Sequence, residues 1–434
     1  MGAVSASQQD LRLEEGRDGE GYELVERPEW STWVTPKQLV REPIHRWFVF
    51  PHSFSPQLVR AIVEEWDLDK GATLLDPFVG SGTTILAGAS RGLRVCGFDL
   101  SPLAEFASRV KVWPPSADGL RNAWKVVRPQ ISVRGGVSIN AGYEDLVVRA
   151  FPGDLLATLD GARRSILGAS LGSRERDALL LALLSILPAF SRLVRKGGWL
   201  EERGWSLPAE QVVAELDAKV SVMISDLVDR GDGQDVEARV GLADARSLPV
   251  ADGSVSAIVT SPPYANRHDY TRVFGVELQF GFLGWEEIRA LRHQSFSSHP
   301  EARPQRGEVS GYREPDGVRE RVERIGALIT DARAKERIPR MLRGYFEDLF
   351  VTLKEMRRTL LPHGRMALVL GNVSYCGIPL EVDQLAIEVG RQVGLAPLVV
   401  YVARWRGNSA QQMKVYGRRP QRESIVVFEA SVPW

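Results

Sequence analysis

The sequence predicts an α/β fold, and three observations carry the prediction. A β-branched run, Val255 to Thr260, reads as a buried strand, and Ser261-Pro262-Pro263-Tyr264 stops it abruptly because neither proline can donate to a ladder. Ala72 to Asp99 reads as a βαβ unit whose first turn is rich in glycine. From Tyr345 to Phe428, helical and strand patterns alternate.

At 434 residues the chain can bury the core of one large α/β domain with insertions, or of two domains. Lys+Arg and Asp+Glu are equal at 55 each, so affinity for nucleic acid has to come from local basic patches and not from a global field. Two cysteines, Cys96 and Cys376, provide neither a disulfide framework nor a metal quartet, and suggest a reducing compartment. The most apolar run, Ala178 to Leu187, is far too short to span a membrane. No basic-then-apolar leader opens the chain, and Ala6 breaks the myristoylation pattern that Met1-Gly2 begins. The expected location is the cytoplasm.

Residues 1–22 are rich in Gly, Ser, Gln, Glu and Asp and read as a disordered tail. Trp30, Trp33, Trp47, Phe48 and Phe50 then crowd a short span, the first two read as a cap on the core. Pro56 sits where a first helical turn tolerates it, ahead of Leu58, Ile62, Val63 and Trp66 at helical spacing. Ala72-Thr73-Leu74-Leu75 is a short strand that leads into Asp76-Pro77-Phe78-Val79-Gly80-Ser81-Gly82-Thr83. A helix from Thr83 to about Ser90 and a strand from Arg94 to Phe98, ending at Asp99, complete the unit.

Glycines let this turn approach a ligand, and the following helix N-terminus can hold a polar group there. Asp99 stands where an acid accepts from ribose hydroxyls. A nicotinamide fingerprint wants a third Gly or Ala after the turn, and Ile85 occupies that position. Asp76 directly before the turn would repel a pyrophosphate. An acid there suits a cationic, amino-acid-bearing ligand and favours S-adenosylmethionine.

Between Asp99 and Asp244 the chain is far longer than a crossover needs, which predicts an inserted helical subdomain over 113–238. Within it, 179–187 is apolar on all faces, started by Ser173 and bent or ended at Pro188; 208–230 shows helical spacing through Val212, Leu216, Val220, Met223 and Leu227. Arg192 to Trp199 reads as a basic hinge, either a solvated helix end or a contact for DNA phosphates. Asp244 ends the next strand, just before the Ser-Pro-Pro-Tyr segment. His268 has no partners at metal spacing, so no metal is expected. Residues 285–343 are charge-dense and read as a long mobile basic loop. Tyr345 to Leu361 is an amphipathic helix, 366–370 a strand, 380–393 a helix, 398–402 a strand and 424–428 the closing strand. Before that last strand stand Arg404, Arg406, Lys414, Arg418, Arg419 and Arg422 with no acid until Glu423, a one-sided run suited to phosphates.

With these motifs placed, the sequence resembles the amino-methyltransferases of DNA, which methylate an exocyclic base nitrogen. Residues 76–83 look like their cofactor motif, Thr260 to Tyr264 like their catalytic motif, and Asn408-Ser409-Ala410 to Arg422-Glu423-Ser424 like their last motif. His45 to Phe54 sits where the family's N-terminal cofactor motif lies. The resemblance covers roughly 40–112 and 238–430. It implies a Rossmann-like, seven-stranded, mostly parallel sheet, divided here into 23–112, the insert, and 239–434. It further implies S-adenosylmethionine held by Phe54, Asp76, Phe78, Gly80, Gly82, Thr83, Asp99, Leu100, Ser101, Asp244 and Ala245, with no metal. Ser261, Pro262, Pro263 and Tyr264 are then catalytic, and Arg267, Arg404, Arg406, Asn408, Lys414, Arg418 and Arg419 are candidates for DNA contact. The implied partners are double-stranded DNA and a cognate restriction endonuclease.

The implied chemistry is direct transfer to an amine of a flipped-out base stacked on Tyr264, with acceptors at Ser261 and the Pro262 carbonyl favouring a pyramidal nitrogen. No Pro-Cys pair exists for attack on carbon 5 of cytosine. In this family Ser at the first catalytic position goes mostly with N4 of cytosine, and Asp or Asn with N6 of adenine. The alternatives are an N6-adenine enzyme, an RNA amino-methyltransferase and a non-catalytic DNA-binding subunit. The sequence stops right after the last motif, so target recognition is expected from the insert, the 285–343 segment, or both.

Overall fold

The computed structural model describes residues 21–131, 143, 145–196, 198–231, 237–303, 309–407, 413, 415–417 and 419–431. Its twelve strands are β1 (Glu23–Glu26), β2 (Thr73–Asp76), β3 (Arg94–Asp99), β4 (Leu193–Lys196), β5 (Trp199–Glu202), β6 (Ala238–Leu242), β7 (Val255–Thr260), β8 (Leu360–Gly371), β9 (Val373–Tyr375), β10 (Ile378–Leu380), β11 (Leu395–Arg406) and β12 (Gln421–Ala430). Eight of them form one sheet in the order β1-β11-β12-β8-β7-β2-β3-β6, with β12 antiparallel to both neighbours and every other pairing parallel. One strand more than the predicted seven is present. Glu23–Glu26 extends the edge beside β11 in parallel register, where a four-residue strand too short to stand out by alternation finds its partners.

The helices α1 (Pro56–Glu65), α2 (Thr83–Ala89) and α3 (Pro102–Val112) belong to the first half of the sheet. Then come α4 (Ala117–Val127), α5 (Asp145–Ala150), α6 (Asp154–Gly168), α7 (Ser173–Phe190) and α8 (Val212–Arg230), all within the predicted insert. Helix α7 is buried on most sides through Leu179, Leu181, Leu183, Leu184 and Leu187, and it runs two residues past Pro188. The basic hinge is in fact an antiparallel pair, β4 with β5. Arg195 is not free for phosphate: its Nε donates to Val273 O at 3.0 Å, and it is ion-paired with buried Glu277.

The second half carries α9 (Tyr270–Val273), α10 (Gly275–Gly281), α11 (Trp285–Gln294), α12 (Asp316–Leu328), α13 (Ala332–Thr359) and α14 (Val382–Gln392). The described residues of the predicted loop at 285–343 are therefore largely helical, with irregular backbone at 295–303, 309–315 and 329–331. Its charges misled because many pair along their own helices, as Arg319 does with Asp316 and Arg324 with Glu320. Beneath them Ile288, Val318, Val322 and Ile325 are buried. Helix α13 starts at an Asp331 cap, whose side chain accepts from Ala334 N at 2.7 Å, and passes through Pro339.

Three apolar clusters hold the layers. One joins the helices of the insert to α3 and α10, one packs α12, α13 and α14 on one sheet face, and one packs α1, α2, Trp30 and Val34 on the other. The insert and residues 44–47 are joined at Asp226 on α8, which is fully buried. Its carboxylate accepts from Ile44 N at 2.8 Å, from Arg46 Nε at 3.1 Å and from Trp47 Nε1 at 2.9 Å. Removing it leaves a guanidinium, an indole N–H and an amide unsatisfied together. Asp226→Ala should lower unfolding free energy by about 3–5 kcal/mol, read from urea denaturation, with Asp226→Asn losing less.

Candidate active site

The two motifs meet because β2 pairs with β7 in parallel, Leu74 opposite Ala257 and Leu75 opposite Ile258. From β2 the chain passes through β3 to β6 on one side and returns to β7 on the other, so the crevice lies at the switch point. Thr260 Oγ1 donates to Asp76 Oδ1 at 2.5 Å and closes the seam.

A cavity opens there. Of the eleven residues expected to hold the cofactor, Phe54, Asp76, Phe78, Gly80, Thr83, Asp99, Leu100, Ser101, Asp244 and Ala245 line it, together with Ser261 and Pro263. Gly82 does not. Its φ of 88° caps α2, and an added Cβ would come within 3.1 Å of Ser108 Cβ, so glycine is needed there for the turn and for packing on α3. Lys111, buried on α3, donates from Nζ to Ser81 O at 2.9 Å and to Phe48 O at 2.6 Å, fastening the glycine turn to the segment that carries Phe54. Burial, with the nearby Lys219 charge, lowers the Lys111 ammonium well below its usual range.

Asp99 Oδ2 accepts from Gly80 N at 3.0 Å, and its Oδ1 accepts from Ser101 N at 2.9 Å. Asp76 Oδ1 accepts from Phe78 N at 3.0 Å. Burial pushes both carboxyls up to about 6, against these hydrogen bonds, and no cationic side chain counters it at either. Two buried acids without a cation, in a cavity with apolar walls, fit a ligand that brings its own positive charge, as the sulfonium and ammonium of S-adenosylmethionine would. Asp244 differs: Arg246 takes it up through Nε at 2.8 Å and Nη2 at 2.6 Å, and also reaches Asp348 at 2.8 Å.

A second cavity adjoins the first and shares with it His52, Ser53, Phe54, Ser261 and Tyr270. Ser261 Oγ donates to Val369 O at 3.1 Å, and Tyr264 Oη donates to Glu423 Oε1 at 3.2 Å. Burial and then the Glu423 charge raise the Tyr264 phenol well above its usual range, opposed by Ser261 and Arg406, so it stays a neutral donor. Pro262 is buried behind the loop. The Tyr264 ring packs on the backbone of Gly371, where a Cβ would lie 2.7 Å from Cε2 and 2.8 Å from an Arg406 nitrogen.

Arg404 and Arg406 line this second cavity, the former ion-paired with Glu423. Arg267 is exposed at the rim with its guanidinium 5.7 Å from the Tyr375 ring centre, and Arg419 is exposed farther along. Asn408, Lys414 and Arg418 lie outside the described residues. Sequence reasoning missed His52, Ser53, Tyr270, Phe274, Phe296 and Glu423. Of these, His52 and Ser53 carried a signal in their place inside 45–54, and Glu423 in its place inside the last motif. His52 and His268 meet edge to face at 4.8 Å, and burial first, helped by neighbouring positive charge, holds both rings below their ordinary value, His52 at about 4. Among the described residues no His, Cys, Asp and Glu cluster could hold a metal, and no helix is long and apolar enough to cross a membrane.

A glycine turn and a Ser-Pro-Pro-Tyr loop meeting at the switch point of a sheet in this order, with its one antiparallel strand second from β11's edge partner, define an α/β methyltransferase fold. Relatives narrow the class. The chain is 27% identical over 447 residues to the type II methyltransferase M.BsoBI of Geobacillus stearothermophilus, covering 89% of this chain and 86% of that protein. It is 23% identical to M.AvaI of a Nostoc species over the same shares, and 35% identical over 85 residues to M.MvaI of Kocuria varians, 19% of each chain. Over most of its length the chain is thus similar to type II methyltransferases. No protein-family model matches it. An S-adenosylmethionine-dependent methyltransferase of Methanosarcina mazei aligns with 86% of this chain and 98% of its own at 8% identity and a TM-score of 0.31, an overlap too small to add to the assignment.

Two outcomes test the geometry. A cation beside Asp76 and ribose hydroxyls donating to Asp99 both favour the ionised carboxyls, so binding releases protons near pH 6; S-adenosylmethionine affinity, followed by calorimetry, should rise with pH through about 6 and level off above it. Gly371→Ala should push the Tyr264 ring into the second cavity, cutting methyl transfer by about 10²-fold while cofactor binding is retained.

Proposed function

We propose that this protein transfers the methyl group of S-adenosylmethionine to the exocyclic N4 of a cytosine flipped out of double-stranded DNA, as the modifying half of a restriction-modification pair. The observation that carries the reading is the state of Ser261. Its one hydroxyl proton is engaged by Val369 O, so toward the cavity it offers lone pairs only. An amine presenting two N–H groups meets that surface; a carbonyl or a ring nitrogen does not. The Pro262 carbonyl is the second acceptor of the proposed pair, and the two prolines hold both in place.

When bound in the first cavity, the cofactor supplies a methyl group already activated by its sulfonium, so no covalent enzyme intermediate is required. The acceptors at Ser261 and the Pro262 carbonyl would draw the amine protons out of the ring plane, so that the nitrogen lone pair leaves conjugation; as its bond to the methyl carbon forms, the carbon–sulfur bond breaks, S-adenosylhomocysteine leaves, and one amine proton passes to solvent. Tyr264, backed by Gly371, gives the base a ring to stack on. A base inside a duplex cannot enter the second cavity, so flipping is part of the proposal. The preference for cytosine over the N6 of adenine follows the family correlation with Ser261.

Incubation with labelled S-adenosylmethionine and unmethylated DNA, followed by digestion to nucleosides, tests this. N4-methylcytosine is expected, and Ser261→Ala should lower the rate by about 10²-fold with cofactor affinity little changed. N6-methyladenine would overturn the choice of base, and label in RNA alone would overturn the substrate.

A further inference from the structure

The arginines Arg404 and Arg406 stand in a one-sided basic run, and such runs ordinarily grip phosphates from the surface. Their surroundings here are different. Arg404 donates from Nε to Glu423 Oε2 at 2.6 Å, and its Nη2 lies 2.5 Å from the same oxygen, while the Glu423 side chain is only 6% exposed. The other oxygen of Glu423 accepts from Tyr264. One buried carboxylate thus fixes both a guanidinium and the aromatic ring of the catalytic loop. Arg406 donates to Asn372 O at 3.1 Å and sits 6.0 Å from the Tyr264 ring centre. All three line the cavity that contains Ser261.

A guanidinium neutralised by a buried acid is a poor phosphate trap, since its charge is already matched. It is a good directional donor, because two of its five N–H groups are anchored and the plane of the rest is set. Resting on the proposed transfer to a base amine, we infer that Arg404, held by Glu423, reads the pyrimidine edge of the flipped base by donating to its O2 and N3. With the amine at Ser261, cytosine presents two acceptors in succession, N3 and then O2. Adenine presents N1 and then a C–H, which leaves a desolvated guanidinium N–H without a partner. Sites built to hydrogen-bond a group reject the analogue lacking it far more strongly than apolar pockets reject a change of size. Arg404 is then the residue that selects cytosine, independently of the serine at position 261.

The test uses the full chain and amplified, hence unmethylated, DNA containing either cytosine or 2-thiocytosine. Sulfur at C2 is a weak acceptor, while the amine and N3 remain. Wild-type protein should methylate the thio-substituted DNA about 10-fold or more slowly than ordinary DNA. Arg404→Gln should be slow on ordinary DNA and show a ratio between the two DNAs near one, with S-adenosylmethionine affinity unchanged. Weakened pairing of the thio base acts on both proteins alike and cancels in that comparison. Should Arg404→Gln lose cofactor binding through misfolding, Arg404→Lys, which keeps a donor on a different geometry, carries the same comparison and should show a reduced ratio. A variant that keeps the wild-type ratio, or a wild-type protein indifferent to sulfur, overturns the inference. Methylation of adenine, or none, by the wild type on ordinary DNA fails the proposed function instead, so the two failures are told apart.

Discussion

Everything at the candidate site depends on one parallel pairing, β2 against β7. It joins segments 184 residues apart through Thr260 and Asp76, and without it the glycine turn and the Ser-Pro-Pro-Tyr loop would not share a crevice. The pairing is insulated: Leu74, Leu75, Ala257, Ile258 and Val259 are all fully buried. The prolines matter at the same point for the opposite reason. A strand that continued would keep Ser261 in the ladder; ending it there turns the hydroxyl toward Val369 O and the cavities.

The segment ahead of α1 is the second constraint, and it works by polar anchoring. Asp226 grips 44–47 from the insert, and Lys111 grips Phe48 O from α3 while also holding Ser81 O in the glycine turn. Both groups are fully buried, so each bond is made in surroundings where its loss leaves a desolvated partner. The chain between them delivers Phe50, His52, Ser53 and Phe54 to the cavities. The insert is therefore mechanically continuous with the wall of the cofactor cavity, whatever its part in reading DNA.

Legibility in the sequence followed the range of the interactions. The strands Thr73–Asp76 and Val255–Thr260 were readable because β-branched and apolar runs with sharp stops are local facts. The residues around the first cavity were readable because most sit in or beside a contiguous motif. Glu423 was not: it stood in the sequence as the end of a basic run and a member of the last motif, and its role comes from antiparallel register that sets Arg404 beside it, across β11 and β12. Charge density misled in the same way at 285–343, where helical ion pairs hide an apolar face. Strand β1 was lost for lack of length, and the β4–β5 pair for lack of any alternation in Leu193–Lys196.

The two cavities differ in how their charges are matched, and that difference suits different ligands. In the first, Asp76 and Asp99 are buried with hydrogen bonds but no cation, which leaves an electrostatic cost that a positively charged ligand removes. In the second, Arg404 matches the acid Glu423 and Arg406 adds a further positive charge, so a neutral, planar group that offers acceptors suits it and a cation does not. A sulfonium donor on one side and an uncharged base on the other fit this division, and Ser261 stands in the wall between them. The reverse occupancy would set a cation beside Arg404 and Arg406 and leave two carboxylates unanswered. Charge matching thus orders the two substrates before shape is considered.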